Sequence, residues 1–295
     1  MKSFKSGYVA ILGQPNVGKS TLMNCFLGQK ISIVSSKPGT TRDKIIGVLH
    51  HQDGQIIFVD TPGLHRPKTA LGDHMVKEVQ SSLEGADLIL VMIDVQSLFN
   101  HWSIQVEPLL KSNTRPALLI INKVDLVSKG KILPIMDQAV KMGLFKEVIP
   151  ISCKERVQLD TLLNLIFKYL PEGQKYYDES QITDRSKAFL VGETIREKAL
   201  YYLDEEVPHS VAVKIEETTW KPEKNIWVVQ AIIYVEKSSQ KAILIGKKGS
   251  MLKKIGEESR VDIENQLGTR VYLGLWVKVL KDWKNDERRL QELGY

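Results

Sequence analysis

Residues 13–20, read as G-Q-P-N-V-G-K-S, constrain this chain more than any other stretch. They fit G-x-x-x-x-G-K-[ST] and lie between an apolar run, Tyr8 to Leu12, and a segment of helical pattern, Lys19 to Leu27. That order demands a strand, a tight Gly-rich loop and a helix in succession. Glycines there let consecutive backbone N–H groups turn inward as an anion-binding nest, and the helix begins at the anion with the positive end of its dipole. Gly13, Gln14, Pro15, Asn16, Val17, Gly18, Lys19, Ser20 and Thr21 are therefore candidate phosphate-binding residues. Lys19 would set its charge on the β- and γ-phosphates, and the Ser20 hydroxyl is a hard oxygen ligand suited to Mg²⁺.

The chain around this loop fits the demand. Ile45 to His50 and Gln55 to Val59 read as strands joined by a hairpin turn at Asp53-Gly54. Leu88 to Ile93, Ala117 to Ile121 and Val148 to Ile151 are short apolar runs of the kind found in buried parallel strands, with helical stretches between them. The expected fold class for residues 1–170 is an α/β P-loop domain, doubly wound around a mostly parallel sheet. Residues 171–185 turn polar and turn-rich, which marks a linker. Residues 186–295 change order: a helix at Glu193 to Leu203, alternating runs at Ser210 to Glu216 and Ile226 to Val235, two helices around a Gly-Lys-Lys-Gly turn, and a last strand at Val271 to Val279. That is an α+β domain.

Two further motifs end predicted strands. Asp60-Thr61-Pro62-Gly63 follows the hairpin. An acid there supports Mg²⁺ and the glycine amide senses the γ-phosphate. Asn122-Lys123-Val124-Asp125 follows another strand and selects the base. A carboxylate pairs with N1–H and the exocyclic amine of guanine, whereas adenine would leave Asp125 unpaired, and sites built on such pairing reject the mismatch. Ser152, Cys153 and Lys154, after the next strand, are placed to close the base pocket through backbone N–H groups. Between these motifs lies Lys37 to Asp43, where Thr40 or Thr41, with Thr41 preferred, would close over Mg²⁺ and the γ-phosphate as a switch. Leu64 stands where a glutamine could have oriented the attacking water. The catalytic candidates are thus Asn16, Lys19, Thr41, Asp60 and Gly63, in a GTPase whose products are GDP and phosphate. An ATP-dependent kinase of small nucleotides would share the loop but leave residues 122–125 without a purpose.

In the second half, Ile245-Gly246-Lys247-Lys248-Gly249 sits between two helical segments, Gln240 to Ile245 and Ser250 to Arg260. A G-x-x-G loop in that position clamps a nucleic-acid backbone in KH domains. Ile243, Leu244, Leu252 and Ile255 are expected to face a core, and Trp227, Trp276 and Trp283 to be core or interface residues rather than stacking platforms. Net charge is +6, but the excess is spread over both halves and argues little. Lys237 to Lys254 is different, with six lysines and no acid. The same block would suit acidic lipid, so a membrane-associated signalling switch is the alternative, unsupported by any lipidation motif.

Composition excludes other classes. Two cysteines, Cys25 and Cys153, lie far apart in sequence and outside any metal-ligand spacing. Residues 1–7 hold no apolar signal core, and no apolar run approaches the roughly 20 residues of a membrane span. A cytoplasmic protein is expected, acting as a monomer.

Taken together, these motifs resemble the Era-like GTPases of bacteria. The likeness extends to P-G-T-T-R at 38–42, D-T-P-G-L-H at 60–65, P-E-G-Q-K-Y-Y and Q-I-T-D-R in the linker, and G-L-W-V-K-V-L-K-D-W-K-N-D-E-R-R-L-Q-E-L-G-Y at the end. The resemblance implies a GTPase domain joined to a KH domain, binding near the 3′ end of small-subunit ribosomal RNA and acting in maturation of the small ribosomal subunit. It also implies a hydrophobic residue at Leu64 and slow hydrolysis; peripheral contact with the inner face of the cell membrane is a separate expectation, tied to the lysine block. Cys153 departs from the alanine usual in that family. In GTPases of similar pattern, an asparagine at the Asn16 position holds K⁺, which stands in for an arginine finger.

Overall fold

The computed structural model describes residues 3–96 and 106–295. Contacts divide the chain into two compact units: Met1–Ser32, Thr41–Pro67 and Gly72–Asp184, and then Ile33–Thr40, Lys68–Leu71 and Arg185–Tyr295.

The first unit is built on a six-stranded sheet of order β2-β3-β1-β4-β5-β6. Its strands are β1 (Lys5–Gly13), β2 (Ile45–His51), β3 (Gly54–Asp60), β4 (Leu88–Asp94), β5 (Ala117–Asn122) and β6 (Glu147–Pro150). Only the β2–β3 hairpin is antiparallel. Helices α1 (Lys19–Leu27), α2 (Ala70–Glu84), α3 (Glu107–Lys111), α4 (Ile132–Lys141) and α5 (Leu159–Tyr169) alternate with the strands. Continuous apolar runs make the strands because both faces are covered. β4 and β5 are buried along nearly their whole length. Val79, Leu83, Leu110, Ile135 and Ala139 of α2 to α4 close one face over Ile89, Val91, Leu119 and Ile121. On α5, Leu162 and Ile166 are fully buried while Leu163 and Leu165 are only half-buried. Chain order reverses at β1, between β3 and β4, so the crevice at the carboxyl ends of these strands is where an α/β sheet binds its ligand.

The segment expected as a linker is ordered against this first unit up to Asp184. Gln55, fully buried on β3, explains the attachment: its side chain accepts from the N–H groups of Tyr176 and Tyr177 and donates to the Tyr177 carbonyl. Val48 N–H donates to Ile182 at 2.8 Å. A polar, turn-rich sequence hides such pairing, because the partners are about 120 residues away.

The second unit has a three-stranded sheet, β7-β8-β9, formed by Ala212–Lys221, Ile226–Val235 and Arg270–Val279. β7 and β8 are antiparallel, β8 and β9 parallel. Helices α6 (Lys187–Tyr202), α7 (Val207–Ser210), α8 (Ser238–Ile245), α9 (Ser250–Leu267) and α10 (Glu287–Leu293) complete it. α6 starts six residues before the expected Glu193 because Ser186 caps it, accepting from Phe189 N–H. β7 runs past the expected Glu216 because a bulge between Ile215 and Glu217 shifts the alternation. Ile195, Val229, Ala231, Ile233, Leu244, Ile255 and Ile263 form the core. Ile243 departs from expectation, standing 52% exposed on α8. Trp283 is buried and donates to the Ser210 carbonyl at 3.0 Å, and Trp227 is half-buried against the core. Trp276 is 51% exposed and so lies outside the core, on the sheet face turned away from the helices, which leaves the interface half of the expectation.

Residues 33–40 cluster with this second unit, where Val34 N–H donates to Glu197, Lys37 pairs with Asp204 at 2.7 Å, and buried Arg196 donates to the Thr40 carbonyl.

Candidate nucleotide site and candidate nucleic-acid groove

Four strand ends supply the first site. Gly13 ends β1, and residues 14–18 turn back so that Leu22 N–H bonds Gly18 at 2.9 Å as α1 begins. Gly18 has no alternative: at φ +105 a Cβ would fall 2.3 Å from the Asn122 amide nitrogen. The same Asn122 amide donates to the Val17 carbonyl at 2.8 Å, so the base-reading motif and the phosphate loop are one hydrogen-bonded structure.

Lys19 lies buried with its ammonium on the Gly13 and Gln14 carbonyls, at 3.1 and 3.0 Å. Burial holds its pKa down to about 8, against the pull of Asp60. Thr21 follows, half-buried in the first turn of α1. Asp60, at the end of β3, is fully buried, and burial raises its pKa against the pull of Lys19 and of two hydroxyl donors. Those donors, Ser20 at 2.6 Å and Ser32 at 2.7 Å, share one carboxylate oxygen. The other oxygen, Oδ1, is buried without a hydrogen-bond partner among the described residues. Thr41 Oγ1 is 3.2 Å from Ser20 Oγ. Thr40 instead donates its hydroxyl to the Lys37 carbonyl at 2.6 Å. Thr61 donates to the Ile11 carbonyl, and Gly63 packs on Pro15 so tightly that a Cβ would come within 2.8 Å of it. Leu64 N–H bonds the Gly13 carbonyl and the side chain joins the apolar core, so it orients no water.

At the base end, Ser152 Oγ donates to Asp125 at 2.5 Å and Cys153 N–H donates to Asn122 at 3.2 Å. Lys123 takes a left-handed conformation and pairs with Asp94 at 2.6 Å, and Val124 N–H bonds the Ile151 carbonyl. The Cys153 thiol is buried, which pushes its pKa up to about 12, so it is a neutral packing group. Lys154 is exposed beside Glu155. Sequence reading missed Ser32, whose backbone is held by the Asn24 side chain through three hydrogen bonds to residues 31 and 32. It also missed Asp94; neither sits in a recognisable motif.

The second site is the junction of α8 and α9. Gly246 at φ +73, Lys248 at φ +52 and Gly249 at φ +81 make a left-handed turn, with Lys247 and Lys248 exposed. α9 starts there with no acid in its first turn, leaving its N-terminal N–H groups to an anion. Ile245 is half-buried at the end of α8. Beside the turn, a cavity of about 440 Å³ is walled by Leu252, Lys253, Gly256 and Arg260 of α9 and by Val271, Leu273 and Leu275 of β9.

The fold and these two sites define a P-loop GTPase joined to a KH module. A family model described as a 50S ribosome-binding GTPase matches residues 8–123, and one described as a KH domain matches residues 206–284. The chain is 47% identical to GTPase Era of Clostridium tetani over 293 residues, covering 99% of both chains. It is 46% identical to GTPase Era of Ruminiclostridium cellulolyticum over 294 residues, covering 99% of this chain and 98% of that one. A crystal structure of Era with MgGDPNP and nucleotides 1506–1542 of 16S ribosomal RNA superposes with a TM-score of 0.94 at 42% identity, over 99% of both chains. A structure of Aquifex aeolicus Era bound to GDP.AlF4- gives 0.93 at the same identity and coverage. The chain belongs to the Era GTPase family, and it is a GTP hydrolase.

Proposed function

We propose that this GTPase uses its nucleotide state to control a KH module that holds the 3′ region of small-subunit ribosomal RNA, in assembly of the small ribosomal subunit. The observation that carries the reading is the pairing, in one chain, of a P-loop site suited to guanine with a left-handed G-x-x-G turn, bearing Lys247 and Lys248, beside a groove lined by Lys253, Glu257 and Arg260. Its Era relative with an RNA fragment and a triphosphate analogue supports the small-subunit choice, since 16S RNA belongs to that subunit. The broader family description names the 50S subunit but matches only the GTPase half.

In the site, Lys19 carries charge to the β- and γ-phosphates, and the charge of an arriving anion offsets the desolvation that depresses its pKa. Asp125 takes the guanine edge, held in line by Ser152, while main-chain N–H groups of residues 152–154 line the pocket. The donor set of Ser20, Thr41 and Asp60 suits Mg²⁺: all are hard oxygens, and Asp60 Oδ1 is buried with no hydrogen-bond partner among the described residues. Bound there, the ion neutralises charge that develops between the phosphates. Asn16, in a left-handed conformation within the loop, is assigned to a K⁺ site, and Gly63 to sensing the γ-phosphate through its N–H. Thr41 closes the phosphate side, and its loss after hydrolysis frees the segment before it. The protein is read as a monomer that acts in the cytoplasm.

The test is Gly249→Asp. Position 249 has open space around it, so the added carboxylate sets a negative charge before an incoming phosphate without displacing neighbours, while the left-handed φ of +81 also strains the turn. Filter binding to RNA of the 16S 3′ end should fall at least about 100-fold, with GTP affinity unchanged and the fold intact by circular dichroism. Parental RNA affinity in a folded Gly249→Asp protein would remove the KH assignment.

A further inference from the structure

The face of the second sheet opposite its helices is unusual for a solvent-facing surface. Inward positions of β9, such as Val271 and Val277, are buried, whereas Tyr272 and Trp276 on the outer face are 58% and 51% exposed. β9 is an edge strand, so this pair stands at the rim. They lie four residues apart on one face, about 13 Å along the strand, far enough to receive separate bases. Gly274 lies between them, and a Cβ there would fall 3.0 Å from the indole Cη2 of Trp276. The Gln230 carboxamide oxygen lies closer still, 2.1 Å from that position, so the glycine leaves room for both side chains on this face. Arg270 and Lys278 flank the pair at the two ends of β9 on the same face, both exposed. Register places Lys221 in line with Arg270 across Ile226, and Glu217, bonded to Thr219, in line with Gly274 only across Gln230, two strands away.

We propose that Tyr272 and Trp276 form a second RNA-contact surface, a stacking platform that receives single-stranded bases after the strand leaves the G-x-x-G groove. Continuity and charge carry the choice of occupant. Tyr272 also borders the groove beside Gly249, so a strand clamped there crosses the β9 edge directly onto the platform. Aromatic rings framed by cations match an unstacked, polyanionic strand, and exposed aromatics on a sheet are a standard way to stack bases. An apolar protein partner would have no use for the arginine and lysine at the two ends.

The proposal rests on the KH reading and is separable from it. The full-length protein is titrated with an RNA oligonucleotide of the 16S 3′ end, comparing the parent, Gly249→Asp, Tyr272→Ala, Trp276→Ala and the double alanine variant. Each single alanine should weaken binding about fivefold or more, and the pair about 30-fold, with the salt slope unchanged because neither residue is charged. Arg270→Ala with Lys278→Ala should instead flatten the slope by about 1.4. Ultraviolet cross-linking of the parent complex, read by mass spectrometry, should place adducts on Tyr272 or Trp276, which keeps the test alive if Trp276→Ala fails to fold. Loss of binding in Gly249→Asp with parental affinity in the double alanine variant overturns the platform and leaves the KH reading standing. Parental affinity in both overturns both. A double variant that keeps RNA affinity but no longer associates with small subunits assigns the face to a protein, which also overturns the proposal.

Discussion

At the scale of single residues, the account rests on what each side chain meets. Asp125 is exposed at its strand end but held by Ser152, an arrangement that leaves the carboxylate to read a base edge. Asp125→Asn exchanges an acceptor for a donor, so GTP affinity should fall by about 10⁴-fold while xanthine nucleotides gain. Competition titrations with GTP and XTP check this, and an Asn variant with parental GTP affinity would contradict it. Asn16 is the second case. Hydrolysis should run faster in K⁺ than in Na⁺, by about tenfold on the assumption that the cation supplies part of an arginine finger's effect. Asn16→Ala should erase the difference; equal parental rates in the two salts would refute the assignment. These residues stand out in the sequence because their motifs are contiguous and each type has a chemical reason. Ser32 was not, because its role depends on Asn24 folding residues 31 and 32 back onto α1, beneath Asp60.

At the scale of elements, α2 is tied to the start of β2 by His74, whose imidazole is 2.8 Å from the Asp43 carboxylate. The hydrogen bond to Asp43 raises the His74 pKa, with burial opposing and Glu78 adding to the rise; Lys77 opposes, and Lys44 stands beside Glu78 at 3.7 Å. A raised pKa stabilises the folded state fully below the ordinary value of 6.5 and loses that contribution as pH rises through the higher folded value. The melting-temperature gap between the parent and His74→Gln should therefore be largest near pH 5.5 and shrink towards pH 8.5. A gap that widens with pH would refute the pairing. Most elements could be placed from sequence because the first unit's strands are uninterrupted apolar runs and α1 starts at an unmistakable loop. Element limits failed where a local device intervened, as with the Ser186 cap of α6 and the bulge after Ile215. α10 went unread as a helix: it is a short helix, capped by Asp286 and fixed through Leu290.

At the scale of the whole molecule, order of motifs predicted two modules, and the chain's division into two compact units adds a detail no pattern could carry. Residues 33–40 lie between the phosphate loop and Thr41 in sequence yet cluster with the second unit, where Arg196, Glu197 and Asp204 hold them. Those partners are about 160 residues distant, so neither periodicity nor motif spacing hints at them. Such a segment is suited to transmit a change at the γ-phosphate, and transmission is a coupling free energy that must be reciprocal. The direct measurement is the affinity of the full-length protein for RNA of the 16S 3′ end, with Mg²⁺ and a non-hydrolysable GTP analogue and again with GDP. The account predicts tighter binding with the analogue by at least about fivefold, and the same factor of tightening for the analogue when RNA is present. Equal RNA affinity in the two nucleotide states would contradict it, leaving a GTPase and an RNA-binding module that share a chain without controlling one another.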